Sequence, residues 1–187
     1  MYDLHFLDAP IPLTNADGEE EREIQRAWWH RNPDGSHSHV RETFEYILEE
    51  AKDQKFDAIL GFSQGGLLGT ALVMTGRFPS VKAVLTAGSP MYSEPFMVAE
   101  QLATEFAAAS SNEVKNDGED IINIGKSIPK LHFAGVTDAM VPVSSVERLC
   151  DEGGSGRVIQ HDKGHMFPTK AVYVSEMLDF LDRNLNA

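Results

Sequence analysis

Cysteine is almost missing: Cys150 stands alone, so the chain can form no internal disulfide. Its setting, S-S-V-E-R-L-C-D, reads as a helix with the thiol buried, a packing role rather than a reactive one. Positive charge is scarce too. Lys and Arg total 16 against 29 Asp and Glu, a net charge of -13. Such a surface repels phosphate backbones and anionic headgroups, so neither nucleic acid nor a membrane surface is an expected partner. Long apolar runs are also lacking, none approaching the ~18 residues of a membrane span. The opening M-Y-D-L-H-F-L-D has neither the basic nor the apolar region of a signal peptide. These absences together give the expectation of an intracellular, cytoplasmic protein.

What is present fits one domain over residues 1–187. Hydrophobic residues at 42% are enough to fill a single core of that size. Short apolar runs alternate with longer amphipathic ones, the pattern of a parallel sheet with crossover helices. Strands are expected at Asp3–Leu7, Ala58–Gly61, Val81–Thr86, Lys130–Val136 and Arg157–His161. Val40, Phe44, Ile47, Leu48 and Ala51 fall on one face of a helix. Val174, Met177, Leu178, Leu181 and Leu185 do the same in a terminal helix. A further helix leaves Ser63 and stops at Phe78-Pro79. Two stretches resist this scheme. Residues 10–38 mix an acidic run at Glu19–Glu21 and Glu23 with Trp28-Trp29 and the turn N-P-D-G-S. Residues 110–126 are polar and acidic around N-D-G-E-D, and read as a surface excursion.

Gly61-Phe62-Ser63-Gln64-Gly65 matches G-x-S-x-G, in which a serine rides a sharp strand-to-helix turn. Strand and helix backbones cross closely there, and Gly61, Gly65, Gly66 and Gly69 leave them room. The pattern alone is weak evidence, so its context decides. D-A-I-L enters it as a buried strand and G-L-L-G-T-A-L leaves it as a helix, as the motif requires. The bland alternative is a glycine-rich turn present for packing alone.

A serine hydroxyl attacks only when a base takes its proton, and in this arrangement the order is serine, acid, histidine. Three histidines follow Ser63. His132 lies inside an expected strand and reads as a core residue. His161 ends a strand. His165 follows Gly164 in a loop beyond the last strand, where its ring can reach the carboxyl ends of the strands, and it is preferred over His161. Asp138 follows the Lys130–Val136 strand and would hold the imidazole tautomer. Asp151 and Asp162 compete for that role, the first reading as a solvated helix end, the second lacking a packing signal to fix its loop.

Across nearly its whole length the sequence resembles the FSH-type serine hydrolases. The resemblance rests on F-L-D-A-P at Phe6–Pro10, R-A-W-W at Arg26–Trp29 and F-D-A-I-L-G-F-S-Q-G-G at Phe56–Gly66. It continues in G-V-T-D-A-M-V-P at Gly135–Pro142 and G-H-M-F-P at Gly164–Pro168. G-F-S-Q-G-G alone would suit acyl-protein thioesterases and carboxylesterases equally well; the other segments favour the FSH type. The resemblance implies an α/β-hydrolase fold, no cofactor and no metal. It also implies hydrolysis of small-molecule esters or thioesters and a triad of Ser63, Asp138 and His165. The backbone N–H of Gln64 is the expected oxyanion donor. Trp28 and Trp29 have two compatible readings, to cap an acyl cleft and to pack residues 10–38 onto the core. Met166 and Phe167 either line that cleft or floor the His165 loop.

One departure stands out. Family members carry a strand and an H-G loop ahead of the D-A-P strand, and this chain begins at the latter. The expectation is therefore a sheet of about five strands, with Asp3–Leu7 paired directly to Ala58–Gly61 and a single backbone oxyanion donor. Two functions follow: an active ester or thioester hydrolase, or a weakened relative that serves as a binding or regulatory domain.

Overall fold

The computed structural model describes residues 2–13, 26–109 and 117–186, so the acidic run at Glu19–Glu23 and residues 110–116 lie outside the described residues. Residues 10–38 hold two small antiparallel ribbons. β1 (Ile11–Pro12) pairs with β2 (Arg26–Ala27), and β3 (His30–Arg31) with β4 (His37–Ser38). Helix α1 (Val40–Glu50) follows, burying Val40, Thr43, Phe44 and Ile47 on one stripe, in line with the 3.6-residue period of its apolar positions.

The central sheet is wholly parallel, in the order β5 (Ala58–Phe62), β6 (Ala83–Ala87), β7 (Lys130–Gly135), β8 (Gly156–His161). Parallel strands need covered crossovers. These are α2 (Gln64–Leu72) between β5 and β6, α3 (Ser93–Ala109) and α4 (Gly118–Ser127) between β6 and β7, and α5 (Val143–Gly153) between β7 and β8. The last helix, α6 (Ala171–Leu185), closes the opposite face. Strand alternation sorts the core accordingly. Val84 packs with Leu67, Leu68, Phe44 and Phe96 under α1, α2 and α3. Ala83, Leu85, Ala87, Leu131 and Phe133 face Phe180 and Leu181 of α6.

Four expectations are corrected. Asp3–Leu7 forms no strand, and the sheet has four strands with β5 at its edge. Alternating Leu4 and Phe6 look strand-like, but a strand exists only where its N–H and C=O groups find partners. This segment instead hangs on side chains: Tyr2 donates to Asp182, and the His5 ring lies against Phe56. Phe6 is left 83% exposed, and Leu60 on the open edge of β5 is 50% exposed.

Residues 118–127, expected as part of a loop, are helix α4. The Asp117 carboxylate caps it by accepting from Asp120 N–H at 2.9 Å, while Ile121 and Gly125 turn inward. Gly125 passes so near Met74 that a Cβ there would fall 2.5 Å from Met74 Cα. In α6 the buried arc runs through Tyr173, Met177, Phe180, Leu181 and Leu185, one position round from the expected stripe, so Val174 and Leu178 stay exposed. Finally, Cys150 on α5 is half-buried rather than buried.

Candidate active site

Ser63 sits between β5 and α2 with φ 52° and ψ −123°, a backbone conformation that L-residues seldom adopt. The turn is tight because Gly61 is pressed under the helix: a Cβ there would lie 2.4 Å from Gly65 O. Gly66 is equally confined by Ser89 and Thr86. Ser63 N–H donates to Ala87 O at 3.0 Å, which ties the elbow to β6. The strain therefore serves to lift the Ser63 side chain above the carboxyl ends of the strands.

His165 comes to it from the loop after β8. Its Nε2 lies 3.1 Å from Ser63 Oγ, and its Nδ1 lies 2.8 Å from Asp138 Oδ2. The loop is placed by contact with β7, where Gly135 leaves room for the carbonyls of Lys163 and Gly164. The Phe62 ring packs beside the imidazole with centroids 4.8 Å apart. Asp138 has no exposed side-chain surface and is fixed in turn, Oδ1 accepting from Met140 N–H at 2.8 Å and Val141 N–H at 2.9 Å. Burial opposes its ionisation. The bonds from Val141, His165 and Met140 outweigh that cost and hold the carboxyl below its ordinary value.

The competing residues lie elsewhere. His132 is fully buried in β7, sharing a 2.8 Å hydrogen bond with Thr86 Oγ1; burial and then the Lys130 charge push its pKa down to about 4. His161 is buried and accepts at Nδ1 from Lys163 N–H. Asp162 pairs with Lys170 at 2.6 Å on the surface, and Asp151 is exposed on α5. So Ser63, His165 and Asp138 are brought together, and His161, Asp151 and Asp162 are not.

Gln64 does more than its expected backbone part. No acceptor among the described residues takes its N–H. Its carboxamide accepts from Trp28 N–H at 3.1 Å and donates to Trp29 O at 3.2 Å, fastening residues 28–29 to the elbow. Trp29 is only 1% exposed and belongs to the core, so the packing reading holds for it and the cleft reading does not. Its large ring is the anchor that residues 10–38 need to attach to α1 and α2. Trp28 is half-buried over α2. Met166 is exposed beside His165, and Phe167 is partly buried against the α6 face, 5.9 Å from the Phe62 ring.

Gly88 was not legible beforehand. Its φ is +57°, and a Cβ there would stand 3.0 Å from His165 Nδ1. Only A-G-S-P after β6 hinted at a turn at this point. Among the described residues no group of three or more His, Cys, Asp or Glu is placed to hold a metal ion, and no helix is long and apolar enough to cross a membrane.

A strained serine at a strand-to-helix elbow, on a parallel sheet covered on both faces, is the architecture of an α/β-hydrolase. Solved structures agree on that fold. SOBER1 of Arabidopsis thaliana superposes with a TM-score of 0.62 at 17% identity, covering 97% of this chain and 83% of that one. Esterase PE8 gives 0.55 at 18% identity, over 95% of this chain and 76% of that one. The chain belongs to the family described as Serine hydrolase (FSH1), which it matches over residues 1–177. Among curated relatives, Esterase OVCA2 of Xenopus tropicalis is 25% identical over 98% of this chain and 80% of that protein. A Schizosaccharomyces pombe protein named Dihydrofolate reductase is 24% identical over 96% of this chain, which spans only 40% of that relative's length.

Proposed function

We propose that this chain hydrolyses carboxylic esters or thioesters of small acyl molecules through a covalent intermediate on Ser63, without cofactor or metal. The observation that carries this reading is the continuous relay from Ser63 Oγ through His165 to buried Asp138, at 3.1 Å and 2.8 Å. His165 Nε2 takes the Ser63 proton as Oγ bonds to the carbonyl carbon, and the carbonyl oxygen becomes an oxyanion against Gln64 N–H. Asp138 holds Nδ1–H and steadies the imidazolium. The bond to the leaving alkoxide or thiolate then breaks as His165 returns the proton to it. Water repeats the sequence on the acyl-serine, releasing the acid and restoring Ser63.

The surroundings favour an apolar acyl group. An exposed apolar side chain lies within two residues of each member in sequence: Phe62 before Ser63, Met166 after His165, and Met140, 74% exposed, two residues after Asp138. Met166 is proposed as an acyl contact and Phe167 as support for Phe62. Cytoplasmic residence remains part of the proposal, resting on the acidic, cysteine-poor composition.

The test is labelling with a fluorophosphonate probe, which marks an activated serine whatever the substrate. Wild type should label, and Ser63→Ala should neither label nor hydrolyse p-nitrophenyl or thioester substrates. Wild-type protein that is folded yet unlabelled would refute the hydrolase reading and favour a binding or regulatory domain.

A further inference from the structure

An oxyanion in acyl transfer is ordinarily held by two or more donors, because one neutral N–H balances only part of the developing charge. Gln64 N–H is the backbone donor at this elbow. The side chain over the same turn is Trp28, whose indole nitrogen stands 3.2 Å from the position a Cβ on Gly65 would occupy. Adding one Cα–Cβ bond length places Nε1 within about 5 Å of Gly65 Cα, at the residue adjoining the Gln64 amide. The hydrogen bonds that Trp28 makes among the described residues run through its backbone N–H and C=O, and none through the indole N–H. Trp28 is half-buried, so its ring is not enclosed in the core as that of Trp29 is.

The backbone that carries the indole is also held in advance. Trp28 N–H donates to Gln64 Oε1, Thr43 Oγ1 donates to Trp28 O, and the next residue is locked by the buried Trp29 ring and by Gln64 Nε2 on its carbonyl. A donor fixed before the reaction costs no reorganisation when charge appears, which is what makes such groups effective. Gly65 serves the same end, since a side chain there would press on Nε1.

We infer that the indole N–H of Trp28 is a catalytic hydrogen-bond donor to the oxyanion, acting beside Gln64 N–H in the reaction proposed above. It breaks and makes no covalent bond. Its hydrogen bond shortens toward an oxygen that gains negative charge as Ser63 Oγ attacks and loses it as the leaving group departs. Because the contact strengthens in the transition state, its loss falls on kcat and not on KM.

The test removes the N–H and keeps the ring. Trp28→Phe is the direct variant. In a second, β-(3-benzothienyl)alanine is incorporated at position 28, which replaces only the ring N–H with sulfur and preserves packing. Steady-state hydrolysis of p-nitrophenyl butyrate and the rate constant of fluorophosphonate labelling are measured alongside thermal melting. The expected result is a fall in kcat of roughly 10²-fold, with KM and melting temperature little changed, and a matching fall in labelling rate. A kcat within twofold of wild type in the sulfur variant, or a loss confined to KM, would overturn the assignment and leave Trp28 as a wall of the cleft. Failure of the hydrolase reading would look different: wild type itself would not label, and this inference would fall with it.

Discussion

A single methyl group added at position 88 tests whether the imidazole is held by shape as well as by hydrogen bonds. Gly88 lies at φ +57°, where an L-residue costs ~1–2 kcal/mol more than glycine. The new Cβ would also meet His165 Nδ1 at 3.0 Å, Cε1 at 3.1 Å and Phe62 Cε2 at 3.4 Å. Carbon contacts settle near ~3.5 Å or beyond, so the ring must retreat by about 0.5 Å. It starts 3.1 Å from Ser63 Oγ, and a retreat of that size takes Nε2 to the limit of a useful hydrogen bond. The expected outcome for Gly88→Ala is a stability loss of ~1–2 kcal/mol and a fall in kcat/KM of roughly 10- to 10²-fold. Gly35→Ala is the control, since Gly35 has φ +86° and nothing within 4 Å of its added Cβ. It should lose similar stability in urea titrations and no activity. Rates are read at a temperature where both variants are folded. A Gly88→Ala protein with wild-type kcat/KM, or with the same kinetics as Gly35→Ala, would refute the steric account of how His165 is placed.

Two further outcomes are expected. Asp138→Asn presents an amide to His165 Nδ1 and favours the tautomer whose Nε2 already carries a proton, so kcat should fall by on the order of 10⁴ while fluorophosphonate labelling survives at a reduced rate. Because the folded Asp138 pKa is lowered, its stabilising effect is present above the unfolded carboxyl value and is lost as pH falls through the folded one. The variant should accordingly show a shallower loss of stability in acid, read by urea titration across that range. Lys130 gives a slope of the same sign in alkaline solution. Its Nζ donates to Gly125 O at 3.0 Å and Ile128 O at 2.7 Å, and burial pushes its pKa from 10.5 down to about 8. Between those values the unfolded chain holds the extra proton, so stability should rise with pH by up to about 3 kcal/mol, and Lys130→Met should abolish that rise. Equal pH slopes in the two proteins would show that Lys130 is not charged-and-strained at neutral pH.

Position by position, the chain itself announced what depends on local chemistry. The elbow at Ser63 was legible because glycines are required wherever two backbones cross, and Gly61 and Gly66 indeed have backbone or side-chain atoms within 3 Å of any added Cβ. Strands β6 and β7 were legible because a parallel strand buried along its length is written as a mostly apolar run, and the edge strands β5 and β8 still carry short apolar segments, Ile59-Leu60 and Val158-Ile159. Ser63, Asp138 and His165 could be picked out by their order and by the turns that follow each strand. Other features depend on neighbours that the sequence does not name. Alternation in Asp3–Leu7 matched a strand, yet no partner edge meets it, and the apolar pattern alone cannot supply hydrogen bonds. Helix α4 hid inside a polar stretch because its apolar stripe is short, Ile121 and Ile122 packing inward, and is completed by the Asp117 cap and by the close pass of Gly125 to Met74. Tertiary packing alone separated Trp28 from Trp29, sending one ring into the core and leaving the other over the turn after Ser63. Adjacent identical side chains have the same local chemistry. Which of them is buried is settled by the clamp of Gln64 and Thr43, contacts that bridge 35 and 15 residues and form only once the chain has folded.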